Sequence, residues 1–134
     1  MLVAGDVIYS KMRLNAPPHY FILLTDPDAD GHALTVNITT ECGDVTTVCG
    51  PHQYGALSHS SEVFYAAATF ADAVTFETAA LAGGAGKLTM RKESRCSAAF
   101  LRTLRAGILK SPKTRKQIKA FCKKTWDTNG DLFP

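Results

Sequence analysis

The chain has 134 residues, of which 46% are hydrophobic, and it suits one domain with a substantial core rather than two. No apolar run approaches the roughly 20 residues of a membrane span, and no basic segment precedes the apolar residues at the amino terminus. We therefore expect a single cytoplasmic domain over residues 1–134, without a membrane partner. The four cysteines are too scattered for a disulfide scaffold, which predicts free thiols.

Charge is distributed unevenly along the chain. Residues 1–86 carry two basic and nine acidic side chains, a net charge of −7, whereas residues 87–134 carry thirteen basic and three acidic ones, a net charge of +10. A basic carboxy-terminal third is typical of proteins that bind nucleic acid or an acidic partner. Internal pairing between an acidic sheet and basic helices explains the same numbers, so both interpretations stay open.

Strands are predicted for the first two thirds of the chain. Residues 20–25 and 34–40 are rich in β-branched, aromatic and aliphatic types, and the Asp, Pro and Gly residues between them favour a turn, which predicts a central hairpin. Residues 71–81 mix strand-favouring and helix-favouring types and are interpreted as a strand entering a short helix. Further strands are predicted at residues 5–9, 44–49, 62–69 and 87–91.

Two helices are predicted for the remainder. Ser94 is a good N-cap, and apolar residues then recur every four positions at Cys96, Phe100, Leu104 and Ile108. Ser111 and Pro112 are expected to end this helix and start the next, whose buried side comprises Ile118, Phe121 and Cys122. The predicted fold class is α+β, mainly β, with a barrel portion over residues 1–91 and a helical portion over residues 94–124.

This order of elements resembles the small SH3-like β-barrel of the MazF/PemK toxin family. The resemblance is carried by Gly5-Asp6-Val7 at the first strand, by the strand after the proline loop, and by residues 36–40, Val-Asn-Ile-Thr-Thr. Pro18-His19 stands where the family has Arg-Pro, and Thr39-Thr40 stands where it has Thr-Ser. The resemblance implies a metal-independent endoribonuclease of a toxin-antitoxin system, without a cofactor, that acts on single-stranded RNA as a homodimer and is neutralised by an antitoxin protein.

Cleavage of RNA without metal requires a base for the 2′-proton, an acid for the leaving oxygen and positive charge at the phosphate. Three imidazoles, His19, His52 and His59, lie in or beside predicted loops, and we expect His19 first and His52 second as acid or base. Lys11 or Arg13 is expected to stabilise the phosphate charge, and Thr39 or Thr40 to position it. The predicted site lies where the proline loop, the end of the 34–40 strand and the 52–61 loop converge.

RNA-binding residues are predicted in the loop and on the helices. Tyr54 lies between glycines with few apolar neighbours, which favours stacking on a base, and Ser60 offers a hydroxyl nearby. The expected basic surface comprises Arg102, Arg105, Lys116 and Lys119. An alternative function follows from these helices: a non-catalytic SH3-like module that contacts nucleic acid or an acidic protein. Residues 63–70 lack the Arg that RNA-cleaving members of the family commonly carry on a later strand, which favours this alternative.

Two patterns of metal-ligating residue types do not predict a metal site. Asp26, Asp28 and Asp30, followed by Gly31, have the spacing of a calcium loop, but position twelve is Asn37 rather than Glu. The six-residue gap between Cys42 and Cys49 departs from the short zinc knuckle. A solvated hairpin tip and free thiols are the simpler interpretations.

Overall fold

One antiparallel sheet of six strands organises the computed structural model, which describes residues 1–11, 19–82 and 89–127, with all side chains except those of residues 11, 89 and 127. The sheet is curled into a half-barrel, and three helices accompany it. The elements in chain order are β1 (Val7–Lys11), β2 (His19–Leu23), β3 (His32–Thr39), β4 (Val48–Cys49), β5 (Ser61–Asp72), α1 (Ala73–Ala82), β6 (Thr89–Glu93), α2 (Ala98–Lys110) and α3 (Lys116–Asp127).

The strand order is β4-β5-β3-β2-β1-β6, so the predicted hairpin of β2 and β3 lies at the centre of the sheet. The α+β class is confirmed, and so are three strands between Gly5 and Thr40. Among the described residues, however, β4 and β6 are the two edges and do not pair with each other. The strand predicted at 44–49 is wrong in extent: only Val48 and Cys49 pair with β5 as a ladder, and the Thr46 amide instead donates to the Asp44 carboxylate.

Alternation along the strands separates two cores. Val7, Ile22, Val36 and Val63 point to one face, which we call the α2 face because Phe100, Leu104 and Ile108 of α2 pack on it. Ile8 and Leu23 point to the opposite face, which we call the α1 face because Ala73 and Phe76 of α1 cover it. The sheet is therefore buried on both sides, which explains why β3 has six consecutive buried residues.

The helix boundaries differ from those predicted. Ser97, not Ser94, caps α2, because its side chain accepts a hydrogen bond from the Phe100 amide. Ser111 and Pro112 do end α2, but a turn follows and α3 begins only at Lys116. Residues 71–81 behave as predicted, since β5 runs to Asp72 and passes directly into α1. No helix of the described chain combines the length and apolar character needed to cross a membrane.

Four of the five predicted core residues of the helices are confirmed: Phe100, Leu104, Ile108 and Ile118 are buried. Phe121 is only half-buried, and its ring meets the edge of Phe70 at 4.8 Å. The thiols are free as predicted, with Cys49, Cys96 and Cys122 buried and Cys42 half-buried. Burial raises the pKa of Cys49 to about 11 and that of Cys122 to about 12, so both are neutral at physiological pH.

Helix α2 lies very close to the sheet at Gly107. A Cβ atom there would overlap the hydroxyl of Tyr65 and lie 2.5 Å from that of Thr47. These two hydroxyls are 2.6 Å apart and satisfy each other inside the core. Glycine at 107 is therefore required by a close approach, whereas most glycines in a helix only lower its stability.

A buried carboxylate fastens the end of α2. Asp44 is 3% exposed, and it accepts hydrogen bonds from the Ser111 hydroxyl at 2.6 Å and from the Thr46 amide. Burial alone raises the pKa of Asp44, but the hydrogen bonds from Ser111 and Thr46, with the nearby charge of Lys113, outweigh burial, and the pKa is below its ordinary 3.8. The loop before β4 is thus tied to the C-cap of α2.

We expect Gly107→Ala to lower the free energy of unfolding by at least about 2 kcal/mol, because an inserted methyl group forces Tyr65 or the helix to move. Urea unfolding followed by circular dichroism measures this loss. Gly55→Ala is the matched control, since a Cβ at Gly55 meets nothing within 4 Å, and its stability should be unchanged or raised by up to about 1 kcal/mol. Equal stability of the two variants would contradict the packing described at Gly107.

We expect Ser111→Ala to cost about 2 kcal/mol at neutral pH, because it removes a hydrogen bond to a buried charge. The folded pKa of Asp44 is below its unfolded value, so the stabilisation is present above the unfolded pKa and is lost as the pH falls through the folded pKa. The stability gap between Ser111→Ala and the unaltered protein should therefore narrow with acidification. Urea unfolding at a series of pH values measures this gap in the free energy of unfolding. A gap that does not change with pH would contradict a hydrogen bond from Ser111 to ionised Asp44.

Candidate functional site

Two tyrosines fix the loop between β4 and β5. Tyr54 is buried, and its hydroxyl donates to the carbonyl oxygen of Ser94 at 2.5 Å. The hydroxyl of Tyr20, on β2, donates to the carbonyl oxygen of Ala56 at 3.1 Å. Leu57 adds a buried apolar contact from the same loop. The backbone that precedes β5 is therefore held against the sheet at the end of β3.

A cleft of about 120 Å³ lies between this loop and the sheet. The floor is formed by Tyr20 and Ile38 on the α2 face, and one wall by Thr39 and Thr40 at the end of β3. The opposite wall belongs to the loop and to the start of β5, and comprises Leu57, Ser58, His59 and Ser61. Hydroxyl groups and one imidazole thus surround a partly apolar floor.

His59 joins the two walls of the cleft. Its Nδ1 lies 2.9 Å from Oγ of Ser58, and its Nε2 lies 3.3 Å from Oγ1 of Thr40. In a neutral imidazole one nitrogen donates and the other accepts, and a hydroxyl can serve either role, so both tautomers fit this arrangement. The ring is exposed, which allows a ligand to reach it.

No Asp, Glu, Lys or Arg side chain lines the cleft, within the residues that the structure describes. Burial is the main cause of the raised pKa of Tyr20, and the negative charge of Glu93 raises it further. The hydroxyl of Tyr20 therefore stays protonated and donates to the carbonyl oxygen of Ala56. Glu62 follows Ser61 on β5, but its Oε1 accepts from the amides of Cys42 and Gly43, which orders the backbone after Thr40. His59 is therefore the proton-transfer group that the cleft offers.

A row of side chains leads from the cleft across the sheet. The register pairs Ile38 with Tyr20, Tyr20 with Tyr9, and Tyr9 with Arg91 of β6. The rings of Tyr9 and Tyr20 meet edge to face at 5.4 Å, and the Arg91 guanidinium lies over the Tyr9 ring at 4.0 Å from its centroid. Both tyrosines are half-buried and Arg91 is exposed.

The predicted catalytic residues are only partly brought together. Thr39 and Thr40 line the cleft beside His59, but His19 lies on the α1 face, where its ring contacts Phe21. The convergence expected for His19 is therefore wrong, because neighbouring residues of a strand point to opposite faces. His52 is exposed in the loop but does not line the cleft. Arg13 and the proline loop lie outside the described residues, as does the side chain of Lys11.

The predicted RNA-binding residues also divide. Tyr54 is not an exposed stacking residue, since its ring is buried and parallel to that of Phe100. Ser60 is exposed but lies outside the lining of the cleft. Arg105 is not on the solvent-exposed side of α2, since it is only 6% exposed. Its Nε and a terminal nitrogen donate to the carbonyl oxygen of Leu24 at 2.9 and 2.7 Å.

A basic face remains on α3. Lys116, Lys119 and Lys123 recur at helical spacing on one side of α3, with Lys116 and Lys123 exposed and Lys119 half-buried, and we call these three lysines the α3 basic face. In the described parts of the chain none of the three is within 4 Å of a carboxylate. No acidic residue occurs between Ser94 and Trp126. Arg102 is exposed on α2 and makes an interaction of its own.

Metal ligands do not assemble in the part of the chain that the structure describes: no group of three or more His, Cys, Asp or Glu side chains is placed to hold an ion. Oδ1 of Asp28 accepts hydrogen bonds from the amides of Asp30 and His32, and Oδ1 of Asp26 accepts one from the amide of Ala4. These carboxylates shape the hairpin tip and connect it to the amino terminus.

The sequence pattern ranks His59 behind His19 and His52 as the acid or base. The signal that favours His59 is its position two residues before β5, flanked by serines and facing the end of β3. The sequence does not indicate that Tyr9 and Arg91 share a surface, because their proximity depends on the pairing of β1 with β6. Comparisons of the chain with protein-family models, with curated proteins and with solved structures gave no match.

Proposed function

We propose that the protein is an endoribonuclease that cleaves single-stranded RNA without a metal ion, with His59 as its proton-transfer group. One observation carries the proposal: an exposed imidazole is held in a cleft between two hydroxyls, Ser58 and Thr40. A positioned imidazole is the group that most often takes the proton from a hydroxyl nucleophile. The Thr39-Thr40 element of the family resemblance forms the wall opposite this imidazole.

The proposed reaction uses the cleft as follows. His59 takes the proton of the ribose 2′-hydroxyl, and the 2′-oxygen attacks the adjacent phosphorus. The bond to the 5′-oxygen breaks, and this oxygen leaves with a proton from the imidazolium or from water. Thr39 and Thr40 donate hydrogen bonds to the phosphate oxygens. The apolar floor and the ring of Tyr20 support the base or ribose of the bound nucleotide.

The family resemblance supports the remaining parts of the proposal. We assign the curled sheet to the SH3-like barrel class of the MazF/PemK toxins on the strength of the Gly5-Asp6-Val7 entry to β1. In the structure Gly5 has a φ of +89°, and Asp6 is buried, accepting hydrogen bonds from the Val3 amide and Arg95. The resemblance alone supports a cytoplasmic homodimer that an antitoxin protein neutralises.

Replacement of His59 tests the proposal. His59→Gln retains hydrogen bonding to Ser58 and Thr40 but cannot exchange a proton in the same way, so we expect kcat to fall by about 10² to 10⁴. Thr40→Val should cause a smaller loss, because it removes one positioning hydroxyl. The assay follows a labelled single-stranded RNA with a chelator present, and circular dichroism shows that each variant is folded.

His52→Gln is the matched control, since His52 lies in the same loop, is exposed, and does not line the cleft. Its cleavage rate should equal that of the unaltered protein. Unchanged cleavage by His59→Gln would refute the assignment of His59. An unaltered protein that leaves RNA intact would refute the nuclease and leave the following alternative.

A second candidate function is a non-catalytic module that holds nucleic acid by charge. The α3 basic face favours it, because its three lysines are left without carboxylate partners in the described structure. Internal charge complementarity accounts for only part of the basic third: Arg95 and Lys92 pair with Asp6, and Arg91 pairs with Glu93. Unpaired lysines on one helix face suit the phosphate backbone.

We expect joint replacement of Lys116, Lys119 and Lys123 by Gln to weaken RNA binding and to flatten its salt dependence. Removing one lysine that neutralises a phosphate should reduce the slope of log K against log salt by about 0.7 for a single strand, so the slope should fall by about 2 for the three together. Fluorescence anisotropy with a labelled oligonucleotide at several salt concentrations measures the slope. An unchanged slope would show that the α3 basic face does not contact RNA.

A further inference from the structure

Among the cations of the sheet whose side chains are described, Arg91 differs from Lys92 in how it is held. Its guanidinium lies over the Tyr9 ring at 4.0 Å, and its Nε donates to Oε1 of Glu93 at 2.8 Å. Two contacts on different sides of the planar group fix its orientation while the side chain stays 53% exposed. An arginine ordered in this way has already lost the rotamer freedom that an unconstrained surface arginine loses on binding.

The contacts of Arg91 leave its terminal nitrogens available. Within the described residues only Nε makes a hydrogen bond, and the two terminal amino groups of the guanidinium make none. A phosphate group is recognised by such a pair of donors, because two N–H groups can bind two of its oxygens at once. Arg105 is unsuitable because it is buried on Leu24, and Arg95 is already paired with Asp6.

Arg91 lies at the end of the row of side chains that leads from the floor of the cleft. Arg91, Tyr9, Tyr20 and Ile38 lie in register on four adjacent strands, and strands are about 4.8 Å apart, so along the row the floor of the cleft begins about 10 Å from Arg91, at Tyr20, and reaches Ile38 at about 14 Å. This distance exceeds the spacing of neighbouring phosphates in a nucleic acid strand. A phosphate at Arg91 therefore belongs to a different nucleotide from the one at His59.

We propose that Arg91 binds a flanking phosphate of the substrate, so that single-stranded RNA lies across β6, β1 and β2 with its scissile nucleotide in the cleft. This inference rests on the proposed function, which places the scissile nucleotide in the cleft. It adds that the bound RNA extends from the cleft as far as Arg91. Exposed parts of Tyr9 and Tyr20 form the apolar path between the two ends. A dinucleotide does not reach Arg91, whereas an octanucleotide does.

The test measures binding of a fluorescein-labelled, mixed-sequence octanucleotide with 2′-O-methyl groups, which lacks the 2′-hydroxyl and is not cleaved. Arg91→Gln should raise its Kd about tenfold and reduce the salt slope by about 0.7, the contribution of one phosphate. Arg91→Lys keeps the charge but not the paired donors, so its Kd should lie between those of the unaltered protein and Arg91→Gln. Lys92→Gln is the matched control: it removes the same charge from the next residue of β6, on the opposite face, and should change Kd less than twofold.

The two proposals fail separately. If Arg91→Gln binds the octanucleotide as Lys92→Gln does, or if the unaltered protein does not bind it, the inference about Arg91 is overturned whatever the His59 variants do. If Arg91→Gln binds weakly while His59→Gln cleaves RNA as the unaltered protein does, the row is supported and His59 is not the proton-transfer group. Thermal unfolding shows whether the Arg91 variants remain folded, as expected for an exposed edge residue.

Discussion

The structure depends on the close approach of α2 to β5, which only a residue without a side chain allows at position 107. This approach brings Leu104 and Ile108 into the core of the α2 face and places Arg105 beneath the end of β2, where it binds the Leu24 carbonyl and lies 5.3 Å from the Trp126 ring centroid. Arg105 thereby connects the sheet to both carboxy-terminal helices. Burial lowers the pKa of Arg105, but an arginine at this site remains charged at physiological pH. Its desolvation is offset by two charge-assisted hydrogen bonds and a cation–π contact.

Alternation of side chains across the sheet decides which residues can form one site. Tyr20 faces α2 and the cleft, whereas His19, its neighbour in the chain, faces the α1 side. The cleft therefore takes its imidazole from the loop before β5 rather than from the strand after the proline loop. The same alternation brings Arg91, Tyr9 and Tyr20 onto one surface, although they belong to three strands and Arg91 is distant in the chain.

Local patterns predicted the elements better than their contacts. The central hairpin, β5 and the apolar stripes of α2 and α3 follow from residue types and spacing, and the structure contains them. The N-cap of α2 lies at Ser97, three residues after the predicted Ser94, because serine at either position is a good cap by sequence and only the hydrogen bond to Phe100 distinguishes them. The sequence predicts Arg105 and Tyr54 at the surface, because Arg105 lies off the apolar stripe of α2 and Tyr54 lies in a loop between glycines with few apolar neighbours. Their burial depends on partners 81 and 40 positions away in the chain, which no local pattern reports.

The charge asymmetry of the chain has more than one physical origin. Part of it stabilises the fold, since the buried carboxylate of Asp6 accepts a hydrogen bond from Arg95 and lies near Lys92. In another part the cations bind backbone carbonyl oxygens rather than carboxylates: Arg105 donates to the Leu24 carbonyl and Arg115 donates to the Ala68 carbonyl. A third part comprises cations whose donors still face solvent, among them lysines of the α3 basic face and the terminal nitrogens of Arg91. The net charge of +10 over residues 87–134 is therefore larger than the positive charge available at the surface to attract an anion. Among the described cations, the groups that can bind an anion are those whose donors are not already bound within the fold.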